Sequence, residues 1–183
     1  MLTTADIPQA DVIWDVARVP EAITRGRMTA EEIGEYIGAK GQRQGLYYMQ
    51  AARIIGLIEL SEQTDSARLT KFGLAFTRYN RADQRAALRR QLLRYEPTKS
   101  VIAALRAAPE GLERRDIARI LQQLAPLAVS TAMRRAATIT SWLTEIGLAY
   151  WHDDRIYYCG PELPLPVTPP QPPRNSMQFI TGA

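Results

Sequence analysis

Cysteine and histidine are almost missing from this sequence: its 183 residues carry one of each, Cys159 and His152. A lone cysteine excludes an internal disulfide and a Cys-based zinc finger, and a lone histidine excludes a multi-histidine metal site. Lysine is scarce as well. Lys40, Lys71 and Lys99 are preceded two residues earlier by Gly38, Leu69 and Pro97, so none sits in the Glu-x-Lys pattern with which metal-dependent nucleases set a metal-binding carboxylate beside a positive charge. Gly-rich phosphate loops and dinucleotide fingerprints are also missing. No stretch approaches about 18 consecutive apolar residues, and the opening MLTTADIPQA has neither the basic start nor the apolar run of a secretory signal. The expectation is a cytoplasmic or nucleoid-associated protein that uses no membrane, metal or cofactor and is not by itself an enzyme.

What is abundant is arginine. Twenty arginines give most of the positive charge of a chain with formal net charge +4, and they are unevenly spread. Between Arg78 and Arg135, 12 Arg and one Lys face five acids, a local +8 that leaves the remainder at −4. Such a segment suits a polyanionic partner, because neutralising phosphates releases counterions; a solvated basic surface is the plainer alternative. With 46% apolar residues the chain can bury a core unaided.

The strongest pattern is an internal repeat. Shifting the sequence by 91 positions lays RQGLYYMQAARIIGLIEL (43–60) on RRAATITSWLTEIGLAYW (134–151), pairing Ala52 with Leu143, Ile55 with Ile146 and Gly56-Leu57 with Gly147-Leu148. Few identities survive, but the apolar period and the helix stop do. In the first copy, Asp11 to Gly26 reads as one helix or two short ones broken near Pro20. Thr29 with Glu32 forms a capping box, and Gln42 to Gly56 makes the third helix, its core face at Gly45, Tyr48, Ala52 and Ile55. Strands at 57–60 and 67–69 close a hairpin, and a short helix after Thr70 follows. A basic helix at 82–95 ends before Pro97. The second copy repeats the order over 98–158, with a longer turn at APLAV, Ser130 as the expected cap of the last helix, and Asp153-Asp154 at the tip of the second hairpin.

The predicted fold is therefore mainly α with small β-hairpins: two tandem winged helix-turn-helix units at 1–80 and 98–160, joined by a bridging helix at 81–97. Seven prolines in residues 161–173 mark a Pro-rich tail or linker at 161–183.

In such a unit the third helix enters the major groove and its outward residues meet base edges. The outward positions are Arg43, Gln44, Tyr47 and Gln50 in the first copy, and Arg134, Arg135, Thr138 and Ser141 in the second. Arginine reads guanine and glutamine reads adenine through paired hydrogen bonds. Arg114 and Arg115 precede the second of these helices, Arg89 lies on the bridging stripe formed with Arg78, Arg81, Arg85, Arg90 and Arg94, and Arg155 lies on the second wing with His152; Arg68 is on the first. The bridging stripe has an alternative partner within the chain, the acidic Glu31-Glu32-Glu35 helix. Tyr48 belongs to the core, whereas Tyr47 and Trp142 sit nearer the edge.

The QG-x-YY-x-x-AA segment, ARLTKFGLAF, and the TA-x-RRA-x-TI-x-SWL helix resemble the tandem winged-helix DNA-recognition modules of restriction-type endonucleases and related bacterial defence proteins, over roughly Asp11 to Tyr158. The resemblance implies a double-stranded DNA binder that positions a nuclease domain or subunit, with catalysis supplied elsewhere. A transcriptional regulator, or a winged-helix protein-interaction subunit, would use the same scaffold. Oligomeric state and target sequence are open at this stage.

Overall fold

Helix starts in this chain are written by short polar side chains. In the computed structural model, which describes residues 1–39, 41–61 and 66–160, Thr29 Oγ1 accepts from Glu32 N (3.3 Å) and the Glu32 carboxylate accepts from the amides of Met28 and Thr29, opening α3 (Ala30–Ile37). Thr70 caps α5 (Lys71–Phe76) and Asn80 caps α6 (Arg81–Arg94) in the same way. A 3-10 turn at Thr4–Asp6 is followed by two short α-helices, α1 (Ile13–Val16) and α2 (Val19–Thr24), with Pro20 in the first turn of α2, where no helical N–H is required. The remaining helices are α4 (Gln42–Ile54), α7 (Glu96–Ala107), α8 (Arg114–Leu124) and α9 (Val129–Glu145).

The protein is mainly helical with two small antiparallel hairpins, as the sequence predicts. Strands β1 (Ile58–Leu60) and β2 (Ala67–Leu69) pair Ile58 with Leu69, and β3 (Ala149–His152) and β4 (Arg155–Tyr158) pair Ala149 with Tyr158. A single further bridge extends each hairpin just ahead of a helix: Thr29 to Ser66 before α3, and Leu112 to Ile156 before α8. The turn at 62–65, Lys40 of the first interhelical turn and the Pro-rich stretch at 161–183 lie outside the described residues.

The repeat is present in three dimensions. Gly56 and Gly147 take left-handed φ of 75° and 74°, and in both copies the next leucine amide bonds back five residues, Leu57 to Ala52 O and Leu148 to Leu143 O. Ile55, Leu57, Ile146 and Leu148 are all buried. Upstream, the two copies align with a shift of 84, so Ile33 matches Ile117 and the Thr29–Glu32 box matches Glu113 with Asp116, whose carboxylate accepts from Glu113 N (3.1 Å). The seven-residue difference is absorbed in the helices, α8 being three residues longer than α3 and α9 four longer than α4; the two connections are four residues each, so the extra length expected in a longer turn at APLAV is helix instead. One contrast matters for packing: where α3 and α4 cross, Gly34 and Gly45 meet, whereas Ala118 and Ala136 occupy the matching buried positions of α8 and α9.

Several boundaries differ from expectation. Ala128, not Ser130, is the N-cap of α9, and Ser130 lies inside its first turn without a capping bond. Pro97 sits in the first turn of α7, so it starts a helix as much as it ends one. On α6, Ala87 is buried and Ala86 is exposed, because the apolar face runs through Leu88 and Leu92. In α4 the core face includes Met49 and Ala51, and Tyr48 is only half-buried.

The two copies share one core, and the first twelve residues lie in the seam between them. Ile7 and Ala10 are buried. Leu2 N donates to Leu124 O, Trp142 Nε1 donates to Ala10 O at 2.8 Å, and Ser141 Oγ donates to Asp11 O at 3.0 Å. The Tyr95 hydroxyl, from the α6–α7 junction, donates to Asp6 O, and Arg53 of α4 stands 3.6 Å from the Asp6 carboxylate. The opening residues thus act as a strap across both halves, and the core is continuous across the predicted 80/81 boundary.

Candidate nucleic-acid interface

The outward residues of α4 and α9 converge on one cleft. Gln44 and Tyr47 line it from α4; Arg134, Arg135, Ala137, Thr138 and Ser141 line it from α9; Gln9 and Asp11 of the strap complete it, around a volume of about 450 Å³. Helical periodicity explains the α9 side, since positions 134, 137, 138 and 141 share a face.

Three of the α9 residues are not free in the way the sequence predicts. Arg135 is 6% exposed and donates to Ile7 O; Thr138 is 2% exposed and donates to the Asp11 carboxylate at 2.6 Å; Ser141 holds Asp11 O. The physical reason is the strap. The carbonyls of Ile7, Ala10 and Asp11 lie beyond its 3-10 turn with no helix or sheet bond to satisfy them, so they take donors from α9, and these side chains turn to its backbone instead of to bulk solvent. Trp142, expected near the edge, is fully buried for the same cause. Burial first, and then the neighbouring Arg134 charge, pull the Arg135 guanidinium below its ordinary range, with Tyr47 opposing.

Arg134 is different. It is exposed, and among the described residues its side chain has no ion-pair or hydrogen-bond partner. Across the cleft Arg43 Nε donates to the Tyr47 hydroxyl at 2.6 Å, with its guanidinium 5.6 Å from the ring centre, so both groups are held at the rim. Gln50 is turned away: its amide oxygen accepts from Arg53 Nε at 2.9 Å, and Arg53 reaches the strap. Gln50 is therefore a support of the seam and not part of the cleft.

Next along α9, Met133 belongs to a second, shallower depression with Glu113, Arg114, Arg115, Trp151, Asp153 and Asp154. Arg114 lies over the exposed Trp151 ring at 5.6 Å, and Arg115 pairs with Glu113 at 2.9 Å. Met133 and Arg134 are chain neighbours about 100° apart around α9, so the two depressions open on adjoining sides of that helix. Arg155 is committed to the scaffold, donating to Gly111 O at 3.0 Å and standing 3.5 Å from Glu113. Arg68 pairs across the first hairpin with Glu59, and His152 stands 3.7 Å from Asp153.

The bridging stripe divides in two. Arg81 sits over the Trp14 ring at 3.1 Å and Arg85 at 5.8 Å, which fastens α6 to α1. Arg89, Arg90 and Arg94 have no ion pair among the described residues, and no pair joins the stripe to Glu31, Glu32 or Glu35 there.

Sequence reasoning missed Gln9, Asp11 and Trp151 as members of these surfaces. The only available signal was the apolar Ile7-Pro8-x-Ala10 run, which marks a segment that packs but says nothing of where. Among the described residues no cluster of His, Cys, Asp or Glu is arranged to hold a metal, and no helix is long and apolar enough to cross a membrane. Comparison with known proteins found no match among curated proteins and none among solved structures. It did find a family model, a domain of unknown function named DUF7226, that matches residues 16–148. That span takes in α2 to α9 whole, and so the helices of both copies, while β3, β4 and the strap residues Gln9 and Asp11 of the cleft lie outside it: the chain belongs to the DUF7226 family.

Proposed function

We propose that this protein binds double-stranded DNA through the arginines beside α9, Arg43 and Arg134 at the cleft and Arg114 and Arg115 at the neighbouring depression. The observation that carries the reading is the exposed Arg134 in the cleft, without an ion pair among the described residues and with arginines of both copies nearby. Guanidinium groups held on rigid helices suit bidentate phosphate and guanine contacts, and Gln44 and Tyr47 add amide and aromatic surface at the same place. The two recognition helices share one cleft, so they engage one stretch of duplex together rather than two half-sites a helical turn apart. Arg89, Arg90 and Arg94 offer further phosphate contacts outside it.

The role as the recognition part of a restriction or defence system, in the bacterial cytoplasm and with catalysis on another domain or subunit, rests on the sequence resemblance. A transcriptional regulator would use the same DNA-binding face. Fluorescence anisotropy with a random duplex is the direct test. Affinity should fall steeply with rising salt, and Arg43→Ala with Arg134→Ala should weaken binding about tenfold or more and flatten the salt slope by about two phosphate contacts. A duplex affinity indifferent to both arginines removes this face from the proposal.

A further inference from the structure

The cleft between α4 and α9 has more structure than a duplex contact surface requires. Two adjacent arginines stand in it, one buried and one exposed, and neither has an ion pair among the described residues. The carboxylate present, Asp11, receives the Thr138 hydroxyl at 2.6 Å. A guanidinium as buried as Arg135, at 6% exposure, ordinarily has a carboxylate beside it; here its one hydrogen bond among the described residues is to the Ile7 carbonyl. Charge of this kind at the base of an open cleft calls for an anion. The opposite wall is of another character: the Tyr47 ring, fixed by Arg43, and the Gln44 amide. At the third side stand Gln9 and Asp11, an amide and an acceptor-only carboxylate.

We infer that this cleft holds a single nucleoside monophosphate unit, its phosphate on Arg134 and Arg135 and its base against Tyr47, with Gln44, Gln9 and Asp11 meeting the base edge. The volume of about 450 Å³ lies within the roughly 300–1,000 Å³ of small-ligand pockets. Aromatic stacking accepts any base, while a carboxylate that only accepts hydrogen bonds favours a base with amino or imino donors on its exposed edge. The hydrogen bonds from Thr138 and Ser141 to Asp11 hold that carboxylate in place before any ligand arrives, which lowers the cost of ordering the site. The unit has two sources, a free nucleotide or a nucleotide turned out of a DNA strand. The second rests on the DNA-binding reading above; the first stands without it.

The full chain is titrated by calorimetry with each of the four deoxynucleoside 5′-monophosphates and with inorganic phosphate. At least one monophosphate should bind ten times or more tightly than inorganic phosphate, and Arg134→Ala, at an exposed position that leaves the fold intact, should weaken it tenfold or more. Tyr47→Ala should remove the preference over inorganic phosphate. No monophosphate binding at millimolar concentration, or binding equal to that of inorganic phosphate, overturns the inference. A duplex with one 2-aminopurine separates the sources: a rise in its fluorescence on binding, lost in Tyr47→Ala, shows a strand nucleotide in the cleft, and monophosphate binding without such a rise shows a free one. Arg114→Ala with Arg115→Ala, outside the cleft, should weaken duplex binding and leave monophosphate affinity unchanged. Monophosphate binding without duplex binding sinks the DNA reading and keeps the cleft; duplex binding without either cleft signal does the reverse.

Discussion

The two copies of the repeat bury the same positions and use their outer faces differently. In the first, Arg43, Gln44 and Tyr47 of α4 remain at the surface or the cleft rim; in the second, Arg135, Thr138 and Ser141 of α9 turn to the strap. The second copy has the richer arginine content, but on α9 Arg134 alone stands exposed, and Arg135 meets the cleft with one donor already given to Ile7 O. Backbone carbonyls left without helix or sheet partners claim nearby donors first, and a partner meets what remains. Packing differs too. Gly34 and Gly45 stand where α8 and α9 carry Ala118 and Ala136, and the α3–α4 crossing leaves no room for a Cβ at Gly45.

The most severe way to break the comparison is to give the first copy the second copy's residue. A Cβ on Gly45 would lie 1.8 Å from the Ala30 carbonyl oxygen, a backbone atom that cannot swing aside. Gly45→Ala should cost about 3 kcal/mol or more in urea unfolding, at the upper end of overpacking effects. Ala136→Gly, the reverse exchange, should cost only about 1 kcal/mol, mainly helix propensity. Equal costs for the two would show that the crossings are alike.

A smaller effect probes the strap. Trp142→Phe removes the donor to Ala10 O, so a buried carbonyl loses its partner, and leaves a small void where the indole's second ring stood. The expected loss is about 2 kcal/mol, with the opening segment more open to amide exchange than in the parent. Unchanged exchange at Ile7 to Asp11 would mean that the other strap bonds suffice.

The smallest effect is a pH dependence at the seam. Burial, followed by the Asp6 charge, pushes the Tyr95 hydroxyl far above its usual value, with Arg135 and Arg53 opposing. A group raised in the folded state contributes stability that is full below its unfolded pKa of about 10 and is lost as pH climbs beyond it. Half a unit above that value the loss should be about 0.8 kcal/mol. Tyr95→Phe should start lower, for want of the bond to Asp6 O, and show a shallower alkaline decline in thermal melts.

Local structure was legible from sequence because its causes are local. Thr29 with Glu32, the Gly56 and Gly147 helix stops, and the hairpin strands were set by neighbours a few residues away, and the structure has them where they were read. Ser130 and Pro97 were misread for a related reason: each is compatible with two positions at a helix start, and tertiary packing chose between them. The cleft was half legible. Arg43, Gln44, Tyr47 and Arg134 were identified from periodicity, but the burial of Arg135 and Thr138 depends on residues more than 120 positions away, and no periodicity within α9 encodes that.

The strap also sets an order of events. Its bonds join residues 128 apart at Ile7 and Arg135, and 132 apart at Ala10 and Trp142, which makes them among the most non-local contacts of the molecule. Loop closure over such distances costs chain entropy before any contact repays it. During synthesis the first twelve residues leave the ribosome early and have no seat until α9 has emerged. Ile7 and Ala10 therefore stay exposed until α9 has emerged, and the seam closes only after both copies have been made.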